Sequence, residues 1–156
     1  MLDLKGERMK RFVFVVAAGA ALFLGLAQAG PVEEAKNLFE RYMALERAFS
    51  PEVADLYADD ALIKNKRTYA TGPVREITIP ASQYKAIIRQ AMPLAKARGD
   101  TSSYTDVAYS KESNGVRIRA KRFSDLKKYS SPLSLLVGPD TSGQWQIREE
   151  LSESQP

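Results

Sequence analysis

The side chains available for chemistry in this 156-residue sequence are narrowly limited, because it contains no histidine and no cysteine. That removes Ser-His-Asp and Cys-His nucleophilic catalysis, histidine metal sites and the usual general base near neutral pH. What remains is tyrosine, carboxylate, amide, arginine and lysine chemistry. Six residues stand where the pattern directs them toward one interior: Tyr42, Tyr57, Asn65, Arg122, Trp145 and Glu149. Tyr42 offers a hydroxyl, either to a ligand or, as a core tyrosine, to a backbone partner. Asn65 ends a strand and offers an amide donor and acceptor, either to a pocket or to turn chemistry. Trp145, Ile147, Glu149 and Leu151 alternate along one strand, as do Val116, Ile118, Ala120 and Arg122 along another. With the aliphatic members inward, Glu149 and Arg122 are expected to meet inside, as a ligand clamp or as a structural ion pair. Asp59-Asp60 lacks the further spaced oxygens of a cation site, so no metal is expected, and no cofactor either.

The elements that must position these residues follow from periodicity. Pro31 suits a first helical position, with Glu33 and Glu34 at the positive end of the helix. Ala35, Leu38, Phe39, Tyr42, Leu45 and Phe49 recur at three- and four-residue intervals as one buried stripe. Ser50-Pro51-Glu52 ends that helix and starts a short second one, with Val53, Leu56 and Tyr57 on its face. Asp59-Asp60 is expected to break it, and Ala61 to Arg67 to form the first strand. Thr71-Gly72-Pro73 is a turn, and Val74 to Ile79 a second strand. A third helix is predicted from about Ser82 to Arg98, with Tyr84, Ile87, Ile88, Ala91, Leu94 and Ala95 inward, a kink at Pro93, and Gly99 as C-cap. Tyr104 to Ser110 and Val116 to Phe123 flank Asn114-Gly115, a strong hairpin signal. Pro132 to Val137 and Gln144 to Leu151 complete four antiparallel strands, and residues 152–156 read as a frayed tail. Helices gathered on one face of a curved sheet make an α+β domain.

This order, together with the segments RYMALERAF and LYADDALIKN, resembles the nuclear-transport-factor-2-like superfamily, also called SnoaL-like or ketosteroid-isomerase-like. The resemblance implies a cone-shaped fold: three helices of the N-terminal half packed on a strongly curved, mostly antiparallel sheet of about six strands. Ketosteroid isomerases, scytalone dehydratase, polyketide cyclases and many non-catalytic binding proteins share it. Against the isomerases, Arg41-Tyr42 matches the oxyanion-donating tyrosine. The position of the proton-abstracting Asp corresponds to Asn65, whose amide cannot accept and return a proton. The second oxyanion donor, a protonated Asp, would fall near Ser134, where no acid lies. The dehydratase chemistry depends on histidine and is excluded. The resemblance also implies a homodimer formed through the sheet.

Residues 1–29 read as an export signal: Lys10-Arg11, an apolar run from Phe12 to Leu26, then Ala27-Gln28-Ala29, with Met9 a cleaner start than Met1. The run is short for a membrane span, so no stable anchor is expected after cleavage, the alternative reading being an uncleaved anchor. The whole chain carries 23 Lys+Arg and 19 Asp+Glu; without the signal these become 19 and 17, a net charge of only +2. Neither the charge nor the compartment favours a nucleic-acid partner. Arg117, Arg119 and Lys121 share the other face of the Arg122 strand, as a patch for an anionic partner or as a solvated outer face. The reading is a periplasmic or secreted single domain, residues 30–151, binding a small apolar or amphipathic molecule in its cone or acting as an interaction module, without catalysis. The alternative is a histidine-independent lyase or isomerase using Tyr42 with Glu149 or Asp106.

Overall fold

The computed structural model describes residues 29–155. The export-signal expectation falls outside them, except at Ala29. Helix α1, Pro31–Arg47, forms for the reasons its sequence gives: Pro31 in the first turn, Glu33 and Glu34 at the positive end, and a buried stripe of Ala35, Leu38, Phe39 and Tyr42. It stops two residues short of Phe49, which adopts a left-handed backbone, φ 55°. Ser50 then caps a 3-10 helix, Pro51–Leu56, its Oγ accepting from the Glu52 amide at 3.3 Å.

Strand β1 runs Tyr57–Thr68, so Asp59-Asp60 lies within it rather than breaking a helix. Asp59 faces solvent and pairs with Lys85 at 2.5 Å, while Asp55 pairs with Arg89 at 2.7 Å; both contacts reach across to helix α2. Strand β2 is Val74–Ile79 and α2 is Ala81–Arg98, continuing through Pro93 and closing at Gly99 in the left-handed region, φ 64°. The inner face of α2 differs from the expected stripe: Ala81 and Ile88 are buried, and Tyr84 and Met92 pack against the core, whereas Ile87 and Leu94 are exposed. Strands β3 (Ser102–Glu112), β4 (Gly115–Ser124), β5 (Tyr129–Pro139) and β6 (Trp145–Ser154) complete the chain. Strand β6 extends beyond Leu151, so Ser152 to Ser154 are paired strand rather than frayed tail.

The six strands form one open, curved sheet in the order β2-β1-β6-β5-β4-β3, antiparallel except for the β1–β6 pair, with the helices on one face. This is the expected cone-shaped α+β architecture. Its core unites Phe39, Leu56, Tyr57 and Ile63 with Val116, Ile118, Leu135, Val137 and Ile147. The β1–β6 pairing shifts register between Tyr57 and Leu62, and bulges in β3 and β6 re-aim side chains. In β3, Asp106 (φ 53°) and Val107 stand opposite one residue of β4. In β6, Leu136 pairs with Glu149 and Val137 with Ile147, leaving Arg148 as an extra residue. Because side chains alternate with period two, that single insertion reverses which residues beyond it face the helices. Among the described residues, no helix is long and apolar enough to cross a membrane.

Candidate functional site

The bulge at Arg148 decides the composition of the interior. Ile147 faces the core, but beyond it Glu150 (1% exposed) and Ser152 point inward, and Glu149 and Leu151 point out. Glu149 is therefore not an interior carboxylate. It pairs with Arg117 on the outer sheet face, where Arg117 also meets Glu112 at 3.1 Å and lies 3.5 Å from Ser134 Oγ. Arg122 faces the other side, so the expected Glu149–Arg122 pair does not form. Asp106, the other carboxylate considered for catalysis, is exposed and pairs with Lys121 at 3.2 Å. Ser134, the position of the second oxyanion donor, also lies on the outer face.

Glu150 organises the interior instead. Its carboxylate accepts hydrogen bonds from the Tyr57 hydroxyl and, at 2.9 Å, from the Tyr84 hydroxyl; the two rings meet edge to face at 5.4 Å. Tyr57 thus belongs to the cluster as a buried donor. Burial, reinforced by the negative charge of Glu150, pushes both phenol pKa values well up, so these hydroxyls stay protonated and donating. A second layer lies toward the C-terminal end of α1. The Tyr104 hydroxyl donates to Glu46 Oε2 at 2.5 Å, and the Tyr104 ring packs edge-on against Phe39 and Tyr42 at 5.5 and 6.1 Å. Tyr42 is buried and stacked on Phe39; burial, then the nearby Glu46 and Glu150, raise its pKa. Burial likewise raises the Glu46 carboxyl above the usual 4.5, against the lowering effect of the Tyr104 hydrogen bond and Arg122.

Arg122 lies among these groups with an unusual balance. Burial favours loss of its proton, but Tyr42, Tyr104, Glu150 and Glu46 around it outweigh that effect, so it remains a cation. Among the described residues it makes neither a hydrogen bond nor an ion pair within 4.0 Å. Its cross-strand neighbour on β5 is Ser131, 3% exposed, whose Oγ is also without a protein partner.

Arg122 and Glu46 form the polar wall of a cavity of about 280 Å³ at the mouth of the cone. Phe49 and, from α2, Met92 and Ala95 give it apolar lining, while Asp100, Lys127, Ser102 and Ser124 extend the polar lining. The left-handed backbone of Phe49 is uncommon for an aromatic residue and is held by amide bonds into the end of α1, Phe49 to the Glu46 carbonyl and Ser50 to that of Leu45, both at 2.9 Å.

Of the six residues singled out in the sequence, Tyr42, Tyr57 and Arg122 come together in this interior. Asn65 faces the same side of the sheet, but its amide is consumed by β6: Nδ2 donates to Ser152 Oγ at 3.1 Å and Oδ1 accepts from Ser154 Oγ at 2.8 Å. It pins β1 to β6 rather than lining the cavity. Trp145 borders a separate cleft of about 380 Å³ with Pro31 and Gly115, near the start of α1 and roughly 22 Å along that helix from Glu46. Glu46, Tyr104 and Glu150 are not singled out by the sequence pattern, and Phe49 and Tyr84 read there only as members of buried helical stripes. Glu46 stands one helical turn after Tyr42 on the same face and was findable from that spacing; Glu150 was concealed by the bulge. No group of three or more carboxylates suited to a metal ion occurs among the described residues.

No protein-family model and no curated protein sequence matches the chain. Solved structures do. An NTF2-like protein with a cystatin-like fold from Novosphingobium aromaticivorans superposes with a TM-score of 0.53 at 15% identity, over 79% of this chain and 80% of that one. The yeast UBP3-associated protein BRE5 gives 0.56 at 13% identity, over 80% and 95%. A candidate dehydratase of the NTF2-like family from Streptomyces avermitilis gives 0.55 at 13%, over 78% and 94%. At such identities the likeness shows the fold: the chain has the NTF2-like, cystatin-like architecture.

Proposed function

We propose, from the NTF2-like fold and the cavity at its mouth, that this is an exported, non-catalytic protein that binds a small amphipathic molecule there. One observation carries the reading. The polar cluster of Tyr57, Tyr84 and Glu150 fills the depth of the cone, yet Arg122 above it is left without a protein acceptor beside a cavity of about 280 Å³. Arg122 is half-buried and its guanidinium opens onto the cavity, so it is a cation positioned by the fold whose donors are accessible to the acceptor group of a ligand. The apolar alternative for the ligand loses ground, because the wall nearest the core is polar.

A homodimer formed through the outer sheet face goes with this reading. Leu62 (42% exposed) and Leu151 (39% exposed) lie on that face beside a groove of about 400 Å³ that includes Lys64, Ser134 and Glu153. Export rests on the apolar run and cleavage pattern of residues 1–29.

A catalytic reading has one observation in its favour. Glu46 is a carboxyl with a raised pKa, hydrogen-bonded by Tyr104 and bordering the cavity, which is the environment a general acid or base requires. It differs from the Glu149 or Asp106 chemistry considered from the sequence, since both of those carboxylates lie outside the cone.

Native mass spectrometry of protein purified from its own exporting cell tests the binding reading. The expected result is a retained small molecule of a few hundred daltons or less on a dimeric protein. Protein free of any adduct, isolated under conditions that preserve the fold, would contradict it.

A further inference from the structure

We propose that the mouth cavity takes a small amphipathic carboxylic acid, its carboxylate on the Arg122 guanidinium and its apolar body against Phe49, Met92 and Ala95. This rests on the cavity being a binding site and adds the chemical class of what it binds.

The head-group assignment follows from what Arg122 lacks. A guanidinium presents five N–H donors in a planar fork that matches a carboxylate in bidentate geometry. Here none of the five has a protein acceptor among the described residues, and the two nearest carboxylates are committed elsewhere. Glu150 takes two tyrosine hydroxyls and lies behind the cavity rather than on its wall; Glu46 takes the Tyr104 hydroxyl. The size of the charge follows from the same inventory. A phosphate monoester brings nearly two negative charges toward Glu46, Asp100 and Glu150 and would need Lys127, whose Nζ donates to the Gln155 carbonyl at 3.1 Å, as well as Arg122; a carboxylate brings one, which the guanidinium alone matches.

The body of the ligand is set by the opposite wall. Phe49, Met92 and Ala95 give aromatic and aliphatic contact, and Met92 adapts its shape to an irregular chain. Phe49 is placed there by its left-handed backbone, a conformation usually left to glycine or asparagine at a helix end. A volume of about 280 Å³ suits an acid of roughly six to ten heavy atoms with space for water at the mouth.

Glu46 then sets the pH dependence. Its carboxyl is surrounded by Tyr42 on its own helix, Tyr104 and Ser102 on β3, Arg122 on β4 and Glu150 on β6, and Asp100 and Lys127 line the same cavity. Burial favours the protonated form, which can donate to the bound carboxylate; the ionised form repels it. Affinity for an acid is expected to fall as pH rises through the Glu46 pKa, and Glu46→Gln to flatten that dependence.

The test is calorimetric titration of the purified protein with hexanoate, 1-hexanol and hexylamine, which share one apolar body and differ in head group. Hexanoate is expected to bind at least about tenfold tighter than hexanol, the value of one charge-assisted pair. Arg122→Met is expected to reduce hexanoate to the hexanol level while hexanol binding is unchanged, which also certifies the fold. Arg122→Lys, keeping the charge without the fork, is expected to fall between. Equal affinity for hexanoate and hexanol, an unaffected Arg122→Met variant, or preference for hexylamine would overturn the carboxylate class and leave the cavity reading standing. No binding of any of the three would overturn the cavity reading and this assignment together.

Discussion

Replacing Glu150 with leucine is the most informative perturbation of the interior. In the native protein this carboxylate, 1% exposed, is the acceptor for the hydroxyls of Tyr57 and Tyr84. Glu150→Leu keeps the volume approximately and removes the acceptor, leaving the buried Tyr57 phenol and the part-buried Tyr84 phenol without a partner. An unsatisfied buried donor costs about 1–3 kcal/mol, so the expected loss of stability is about 2–6 kcal/mol. Tyr57→Phe alone removes a single hydrogen bond to a charged group and is expected to cost about 1.5–3 kcal/mol. The triple variant Glu150→Leu/Tyr57→Phe/Tyr84→Phe removes acceptor and donors together. Because burying a matched apolar cluster is nearly neutral compared with a half-satisfied polar one, it is expected to recover most of the loss. Urea unfolding followed through the single tryptophan, Trp145, measures all four proteins. The reasoning fails if the triple variant is as unstable as Glu150→Leu, or if Glu150→Leu loses less than about 1 kcal/mol.

Three further perturbations test separate parts of the structure. A Cβ at Gly115 (φ 154°) would lie 2.1 Å from the Val137 carbonyl oxygen, so Gly115→Ala is expected to destabilise by about 3 kcal/mol or more, read in the same unfolding assay. Glu46 has a folded pKa above its ordinary 4.5, so its contribution is fully present below that pH and is lost as pH rises through the raised value. Stability of the wild type should therefore decline relative to Glu46→Gln over that interval, and parallel pH profiles of the two proteins would contradict the assignment. Leu62→Glu with Leu151→Glu places like charges on the outer sheet face; if the proposed dimer forms there, light scattering should give a dimer for the wild type and a monomer for the variant, with the folded circular dichroism signal unchanged.

The fold was legible because its elements announce themselves locally. Pro31, Ser50-Pro51, Gly99 and Asn114-Gly115 punctuate the chain where it turns, and the stripe of Ala35, Leu38, Phe39 and Tyr42 has one helical reading. Strand β1 was harder, since Asp59-Asp60 reads as a helix stop but is tolerated on a strand through pairing of Asp59 with Lys85. The site was half legible. Tyr42, Tyr57 and Arg122 follow from simple periodicity. Glu149 did not, because alternation has no means of registering an extra residue, and the insertion at Arg148 exchanges Glu149 for Glu150 inside the cone. Asn65 was placed on the correct face, but its partners, Ser152 and Ser154, lie on a strand end that polarity disguised as a tail. Tyr104 and Glu46 meet across 58 positions of sequence, a distance over which no local pattern carries information.

A ligand entering at the cone mouth, between Arg122 and the end of α2 as proposed, is reported directly by the methionine methyl groups. Met92 borders the cavity, while Met43 packs against the core on α1 outside it. In methyl-labelled protein titrated with hexanoate, the Met92 resonance is predicted to shift in step with calorimetric saturation while Met43 stays in place. Saturable binding that leaves Met92 unmoved would place the ligand elsewhere in the molecule and rule out the mouth cavity as its site.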